Sequence, residues 1–465
     1  MELMLDLGNS SGPIVSGGDV SSEEDGRDRP AREDEPEHKG NEDERERPAK
    51  VVDVQVELVV RAFAEDDIEI GVERLPDGDP DFLYQRDVIL VRDAYIDAVR
   101  TVVGGGDPID GLIHGVTLYS LQGAEISEVV PALNAIDAAL GVGVAAPNHV
   151  LWISVGHLCP ATEPEMVSLG ASPDPGVCPG RPGAGVSVYV IDTGLLASGP
   201  LHPWLSGVTG DNDPLPAGSL IPPYTGHGTF VAGVARCMAP VSEMHVTRLL
   251  HYRGAQLETE IVKQLDLVLN QSPDIISLSA GATTRKDLPP LAFEALWQRY
   301  RHHKGMLLVA AAGNQRSRRP FWPAAFPQVV SVGALSADWR SRASFSDYGG
   351  WVDVYAPGED LVNAYATGTY KCQEPPHDGE MREFFGMARW SGTSFSTPLV
   401  SGLIAARMSR TGENGRQAAD ALLARARAQA LPGVGAVLYP CDSGEDCRCR
   451  AEERCEHRHH HCGCC

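Results

Sequence analysis

The stretch SGTSFSTPLVSG, residues 391–402, decides the fold of the second half of the chain. It places Ser394 among small and hydroxylated residues, ahead of Pro398 and an apolar run. Serine and threonine are favoured at the start of a helix because their oxygens accept backbone N–H groups, and proline is tolerated in the first turn. The stretch therefore predicts a buried helix that begins near Ser394. Taken alone, it leaves open whether Ser394 only caps that helix or acts as a nucleophile.

Three continuous apolar runs precede this stretch: VSVYVID (186–192), IISLSAG (275–281) and MLLVAAAGN (306–314). Such runs are typical of parallel strands that are covered on both faces. Helical patterns lie between them at residues 257–270 and 291–303. We therefore predict that residues 183–432 form a three-layer α/β domain with a mostly parallel central sheet.

Four polar residues stand at the ends of these predicted elements, in the order Asp192, His227, Asn314 and Ser394. In parallel α/β sheets ligands bind at the carboxyl ends of strands, so these side chains are expected to meet at one edge. A serine hydroxyl becomes a good nucleophile when an adjacent base takes its proton, and histidine is the commonest base. Each residue alone has an ordinary structural explanation. In this order they together predict nucleophilic catalysis.

The segments VIDTG, HGTFVAGV, ISLSAG, VAAAGN and SGTSFSTPLVSG make residues 184–430 resemble the catalytic domain of the subtilisin-like serine proteases, the subtilases or peptidase family S8. The spacings suit that family as well, since 35 residues separate Asp192 from His227 and 167 separate His227 from Ser394. The resemblance implies a serine endopeptidase that hydrolyses protein or peptide substrates through an acyl-enzyme intermediate. It implies that these three residues form the catalytic triad and that Asn314 contributes to the oxyanion hole.

The resemblance also bears on substrate contacts and on cofactors. The segments SLSAG and AAAGN are expected to form walls of the primary specificity pocket, with the residues Ser279, Ala280, Gly281, Ala311 and Gly313. No cofactor is required for this chemistry. Calcium is common in the family, and Asp211 and Asp213 are candidate acids, but no spacing in the sequence specifies a metal site.

Residues 51–155 are predicted to form a small α+β domain. VVDVQVELVV (51–60) alternates like a strand, and further strand and helix patterns follow it as far as HVLWISV (149–155). The resemblance implies that this domain is a propeptide, which would make it an intramolecular inhibitor within a zymogen. An unrelated accessory domain is the alternative. Residues 156–182, rich in Pro and Gly, are predicted to be a linker in which the chain is processed.

Both ends of the chain are predicted to be disordered. Residues 1–50 form an acidic tail with too few apolar side chains to fold. Residues 433–465 form a second tail that contains seven of the 11 cysteines. Its Cys and His side chains suit zinc or copper, but they lack the paired spacing of a folded zinc module. Cys159 and Cys178 could close a loop ahead of the main domain, which spacing alone does not establish.

The formal net charge of −24 is concentrated near the N-terminus, since residues 1–150 carry 33 acidic and 12 basic side chains. No basic stripe indicates nucleic-acid binding, and no apolar run is long enough to predict a membrane span. The lack of a signal-peptide pattern predicts a cytoplasmic protein, or a secreted one if the start is misassigned. Two alternatives to a general endopeptidase stay open. They are a catalytically silent binding protein with the subtilase fold and a restricted cytoplasmic protease that matures one peptide.

Overall fold

The structure is a computed structural model that describes residues 49–153, 161–251, 253–302 and 305–440. Most of both predicted tails, and Cys159, lie outside these ranges. Residues 436–438 are folded, because backbone bonds join Ala436 and Leu438 to Tyr355, and Val437 and Leu438 are buried. The folded domain therefore extends at least six residues beyond the boundary predicted at residue 432, because the polar composition of the tail masked this short apolar segment.

The N-terminal part is an antiparallel sheet with helices packed against it. Its strands are ordered β3-β4-β2-β5, with β1 paired to β2. Two of its helices, α2 and α3, bury Val99, Val103, Leu133 and Ile136 against the sheet. In chain order the elements are α1 (Ala49–Ala64), β1 (Ile70–Arg74), β2 (Pro80–Arg92), α2 (Ile96–Val103), β3 (Asp107–Ile113), β4 (Val116–Ser120), α3 (Val129–Leu140) and β5 (Ala145–Trp152).

The segment VVDVQVELVV is helical, so the prediction of a strand over residues 51–60 is wrong. Its buried positions include Val56, Val59 and Phe63, which are three and four residues apart and therefore share one face of α1. The valines alternate with polar residues, and the same valines also satisfy the helical spacing. Tertiary contacts decide between the two patterns, because this face packs against Leu83, Trp152 and other buried apolar residues.

The second part is a seven-stranded parallel sheet with helices on both faces, as the sequence predicted. Its strands are ordered β13-β12-β11-β10-β6-β8-β7. In chain order the elements are β6 (Ser187–Asp192), β7 (Thr209–Gly210), α4 (His227–Met238), β8 (Glu243–Arg248), β9 (Ala255–Leu257), α5 (Glu258–Leu269), β10 (Ile275–Leu278), α6 (Leu291–Tyr300), β11 (Leu307–Ala311), β12 (Val330–Leu335), β13 (Val354–Pro357), β14 (Leu361–Lys371), β15 (Met381–Trp390), α7 (Thr393–Thr411) and α8 (Gly415–Ala428).

The three layers bury two separate apolar clusters. Helices α4, α7 and α8 share one cluster with the sheet, and α5 and α6 share the other. The central strands β10 and β11 are buried at every position, which explains why their sequences are continuous apolar runs. The predicted three-layer α/β fold is therefore confirmed.

Two further strand pairings lie outside the main sheet. Strands β14 and β15 form an antiparallel hairpin outside the main sheet. The short strand β9 pairs antiparallel with β5, so the second domain adds an edge strand to the N-terminal sheet. Both pairings lie next to the site described below.

Candidate active site

Asp192 and His227 meet at the carboxyl end of β6. Asp192 is the last residue of β6 and His227 the first residue of α4, and both side chains are fully buried. His227 Nδ1 lies 2.7 Å from Asp192 Oδ1. Because a carboxylate can only accept, it holds the proton on Nδ1 and leaves Nε2 as the acceptor. This is the tautomer that a general base requires.

Ser394 is the second residue of α7 and is also fully buried. The N-terminus of a helix favours negative charge, because backbone N–H groups and the helix dipole point toward it. Pro398 lies four residues further along the helix and has no N–H to bond the carbonyl of Ser394. The hydroxyl of Ser279 donates to that carbonyl instead, at 3.0 Å. Pro398 thus leaves the Ser394 carbonyl available for the bond to Ser279, which directly follows β10.

Aromatic side chains bring His227 close to the segment that holds Ser394. The His227 ring lies 5.4 Å from the Phe395 ring and 5.5 Å, edge-on, from the Trp390 ring. Within the described residues, neither His227 Nε2 nor Ser394 Oγ has a hydrogen-bond partner. A buried base and a buried hydroxyl, both without a bond, are the two groups that a proton transfer from serine to histidine uses. Such contacts often tighten only when a substrate is bound.

Asn314 follows β11 and is oriented by Thr393. Its Oδ1 accepts from both the backbone N–H and the hydroxyl of Thr393, each at 2.9 Å. The Thr393 hydroxyl in turn accepts from the backbone N–H of Gly313 at 3.2 Å. With Oδ1 committed to α7, Nδ2 is the end of the amide that can donate to a substrate oxygen. Thr393 was not predicted as a site residue, although it lies within SGTS directly before Ser394.

The five predicted pocket residues are brought together around the ends of β10 and β11. Ser279 contacts Ser394, as described, and Ala280 is buried. Gly281 exchanges two backbone bonds with Trp152 of β5, at 2.9 and 3.1 Å. Ala311 ends β11, and Gly313 has a φ of +102°. A Cβ on Gly313 would lie 2.4 Å from Asp347 Oδ2, so this close approach requires glycine.

A second acid, Asp213, supports the geometry of the Asp192–His227 pair. Its Oδ2 accepts from the backbone N–H of Gly226 at 2.7 Å and from the Thr193 hydroxyl at 3.3 Å. The Thr193 hydroxyl accepts from the N–H of Gly228 at 3.0 Å. These bonds connect the residue after Asp192 to the residues on both sides of His227. Asp213 was predicted from the sequence only as a candidate calcium ligand.

The two acids named as calcium candidates already serve other partners. Asp211 Oδ2 accepts from the backbone N–H of Arg248 at 2.9 Å, and Asp213 bonds the donors just described. N–H groups facing these oxygens do not fit a calcium site, which needs six to eight oxygen ligands around the ion. Within the described residues, no cluster of three or more His, Cys, Asp or Glu side chains could hold a metal ion.

The carboxyl of Asp213 is expected to make stability fall as the pH rises. Burial raises its pKa from 3.8 to about 6. Below 3.8 the proton is bound in both folded and unfolded chains, whereas between 3.8 and about 6 only the folded chain keeps it. That difference corresponds to about 3 kcal/mol of stability lost by neutral pH. Asp213→Asn should therefore raise the free energy of unfolding more at about pH 8 than at about pH 4.

The measurement is urea unfolding at both pH values, with Ser394→Ala in every protein to prevent self-digestion. Asparagine keeps an oxygen for Gly226 and carries no charge, so the pH dependence isolates the ionisation. An equal effect of Asp213→Asn at the two pH values would contradict the prediction.

The sequence profile of the subtilase family matches residues 183–436, which is more than half of the chain and includes all of the residues above except Trp152. The chain belongs to the subtilase family. As a member of this family, the chain is a subtilisin-like serine endopeptidase. Within the described ranges, no helix combines the length and the apolar character that crossing a membrane requires.

Curated relatives of this subtilase match the same region. Thermitase from Thermoactinomyces vulgaris is 30% identical over 256 residues, covering 51% of this chain and 81% of thermitase. The thermophilic serine proteinase of Bacillus sp. (strain AK1) is 32% identical over 249 residues, covering 50% of this chain and 54% of that protein. The chain therefore spans most of the first relative and about half of the second.

The fold similarity extends beyond the family match. The crystal structure of fervidolysin from Fervidobacterium pennivorans, a keratinolytic enzyme related to subtilisin, has a TM-score of 0.53 at 18% identity. The similarity covers 80% of this chain and 62% of fervidolysin. At 18% identity this similarity shows a shared fold and nothing about function. Because the similarity covers 80% of this chain, it includes part of the N-terminal domain as well as the catalytic domain.

Proposed function

We propose that the chain is a self-inhibited serine endopeptidase in which Asp192, His227 and Ser394 form the catalytic triad. The observation that carries the proposal is that the end of β5 lies as a strand between β9 and Gly281, two residues after the Ser279 that contacts the buried Ser394. An extended peptide held by two backbone edges is the way a substrate strand binds. The chain's own N-terminal domain thus supplies a segment in the position of a substrate.

The proposed reaction begins with attack by Ser394 Oγ on a peptide carbonyl. His227 Nε2 takes the serine proton, and Asp192 stabilises the resulting imidazolium through Nδ1. The carbonyl oxygen becomes an oxyanion, to which Asn314 Nδ2 and the backbone N–H of Ser394 donate. When the intermediate collapses, the C–N bond breaks and His227 returns the proton to the leaving amine. An acyl-enzyme and a free amine result.

Deacylation repeats these roles with water as the nucleophile. His227 Nε2 takes a proton from water, and the hydroxyl attacks the ester carbonyl of the acylated Ser394. Asn314 Nδ2 again stabilises the oxyanion. Collapse of the second intermediate breaks the ester bond, and His227 returns a proton to Ser394 Oγ. The products are a carboxylate and the regenerated enzyme.

Backbone contacts support an inhibitory role for β5. Residues Val150–Trp152 pair with Ala255–Leu257 of β9, and the Ile153 N–H donates to the carbonyl of Gly254 at 2.9 Å. All three triad side chains have no solvent exposure. A substrate needs this same cleft, so it cannot enter while β5 stays bound.

Helix α1 covers the outer side of β5. Its residues Val56, Val59 and Phe63 share an apolar cluster with Trp152 of β5 and Phe321 of the catalytic domain. Gln55 Nε2 also donates to the hydroxyl of Tyr224 at 2.6 Å, three residues before His227. The helix thus contacts both the strand in the cleft and the catalytic domain beside it, which supports a role in retaining β5.

Ion pairs hold the two domains together on a second surface. Asp137 Oδ2 of α3 lies 2.9 Å from the Arg285 guanidinium and 2.7 Å from Lys286 Nζ. The Asp137 and Arg285 side chains are each only 7% exposed. Removal of one partner of a buried pair leaves the other charge without compensation, which costs about 3–5 kcal/mol. This contact therefore supports tight binding of the N-terminal domain.

Asp137→Asn is expected to speed release of the N-terminal domain after cleavage. The lag before activity appears on a small peptide substrate should shorten at least about tenfold, because a tenfold change needs only about 1.4 kcal/mol of the energy of the pair. Asp107→Asn is the matched control, since its pair with Arg100 is exposed and contributes little. An unchanged lag in Asp137→Asn would contradict the role of this surface.

The proposed zymogen is tested by labelling the full chain with a fluorescent fluorophosphonate during incubation, with the N-terminus mapped at each time. Trp152 is bonded to Gly281, near the Ser279 that contacts Ser394, and Ala161 is bonded to Ser391, three residues before Ser394. We therefore expect cleavage between residues 153 and 161, followed by labelling of the shortened protein. Full labelling of the uncut chain would refute inhibition by the N-terminal domain. A cut, correctly folded protein that never labels would refute the protease function.

A further inference from the structure

Residues 161–165 follow the strand that leads into the active-site helix. The N–H of Ala161 donates to the carbonyl of Ser391 at 3.1 Å. Glu165 and Arg389 exchange two backbone bonds of 2.9 Å each. From Ala161 to Glu165 the segment covers four residues, whereas the strand beside it covers only two, from Ser391 to Arg389. Residues 162–164 therefore bulge out of the regular ladder.

This segment bonds Ser391, three residues before Ser394, whereas β5 bonds Gly281, two residues after the Ser279 that contacts Ser394. The direction of the chain makes β5 the upstream side, because it ends at Trp152 beside Gly281, and makes Ala161 the downstream side. The indole N–H of Trp390 donates to the carbonyl of Thr162 at 2.7 Å, and the same indole packs against His227. A substrate running in the same direction would lay the residues after its scissile bond along this edge.

Because of the bulge, the side chain of Glu163 points into a pocket on the β14–β15 hairpin. The carboxylate is buried, and its Oε1 accepts from the Tyr370 hydroxyl at 2.8 Å and from the Gln373 N–H at 2.7 Å. Arg382, also buried, donates to the carbonyl of Pro164 at 2.9 Å and lies near the carboxylate, while its own ion pair is with Glu380 at 3.2 Å. Burial raises the pKa of Glu163, so the two donors and the nearby charge offset only part of the cost of burying its carboxylate. Because bonds to an ionised acceptor are the stronger ones, the same donors favour glutamate over an uncharged side chain.

We propose that this pocket is a substrate subsite that recognises an acidic side chain downstream of the scissile bond. In the uncleaved chain, Glu163 of the same molecule occupies this subsite. The inference rests on the proposed protease function. The backbone bonds to Arg389 and Ser391 suit any extended peptide. The Tyr370 hydroxyl, the Gln373 N–H and Arg382 discriminate between glutamate and an uncharged residue.

The first test profiles cleavage of a random peptide library by the self-processed protein. Glutamate should be enriched at one fixed position downstream of the cut, and a peptide with that glutamate should have a kcat/KM about tenfold above its glutamine counterpart, because bonds to a charged group are the stronger ones. Tyr370→Phe and Arg382→Gln should each reduce this ratio, whereas Tyr300→Phe on α6, on the other face of the sheet, should not. The absence of downstream enrichment, or an unchanged ratio in Tyr370→Phe, would overturn the proposal.

A second test needs no catalysis. Hydrogen–deuterium exchange of the backbone amides of residues 161–166 is measured in the full chain with Ser394→Ala. Glu163→Gln should raise their exchange rate about tenfold, because bonds to a charged group are the stronger ones, and Tyr370→Phe should have a similar effect. Glu165→Gln is the matched control, since that side chain is half exposed and its pair with Arg389 is long. Equal exchange in Glu163→Gln and Glu165→Gln would overturn the subsite. Faster exchange on Glu163→Gln, in a chain that with Ser394 intact never labels with fluorophosphonate, would keep the subsite and refute the protease function.

Discussion

Ser394→Ala is expected to lower kcat for peptide hydrolysis by about 10⁶-fold, which is the size of the loss measured in subtilisin itself. The variant lacks the hydroxyl that attacks the carbonyl, while His227 and Asn314 keep their bonds to other partners. Any remaining activity would come from binding and the oxyanion donors alone. The protein should stay full length, because self-processing needs the same hydroxyl.

The measurement combines fluorophosphonate labelling, hydrolysis of a peptide substrate and the mass of the chain after incubation. Ser396→Ala is the matched control, since Ser396 is a buried serine two residues further along α7 whose hydroxyl makes only a 3.4 Å bond to Thr393. It should retain labelling and processing. Retention of labelling in Ser394→Ala would show that another residue reacts with the probe.

Asn314→Ala is expected to lower kcat by about 10²–10³-fold with little change in KM, which is the range measured for the corresponding donor in subtilisin. The physical reason is that Nδ2 donates to an oxygen whose negative charge develops only in the transition state. Loss of that donor therefore raises the barrier and leaves ground-state binding almost intact. Steady-state kinetics of the processed protein would separate kcat from KM.

A second variant distinguishes the donor from its orientation. Thr393→Val removes the hydroxyl that bonds Asn314 Oδ1 and Gly313 but keeps the backbone N–H that also holds the amide. Its kcat should fall by only about tenfold, the value of one hydrogen bond of ordinary strength. If Asn314→Ala behaved like Thr393→Val, the amide would be a structural support and not an oxyanion donor.

The parts that were predicted correctly are those in which local pattern and tertiary environment agree. Strands β10 and β11 are buried at every position and β6 at four of its six, so their sequences are largely apolar runs that do not suit a solvent-facing strand. The polar residues after them stand out against those runs. For the same reason the positions of Asp192, His227, Asn314 and Ser394 in one site could be expected before any contact was known.

The two wrong predictions concern segments whose local pattern is ambiguous or too short. Helix α1 carries valines at alternating positions that also satisfy the helical spacing, and only its packing against β5 and Phe321 selects the helix. The folded residues 436–438 were assigned to the tail, because three apolar residues beside a long polar segment form no recognisable element. Their pairing with Tyr355 depends on a strand about 80 residues earlier in the chain.

The sequence by itself determined the α/β class, the parallel sheet and the four polar residues at its edge, since each depends on hydrophobic period or on chain order. Only the tertiary structure decided which segments pack beside these residues: β5 against β9 and Gly281, residues 161–165 against Arg389 and Ser391, and α1 against β5. These contacts join residues far apart in the chain, such as Glu163 and Tyr370, which are separated by 207 residues. Local residue preferences carry no information about such pairings, because the bonds exist only once both partners are folded.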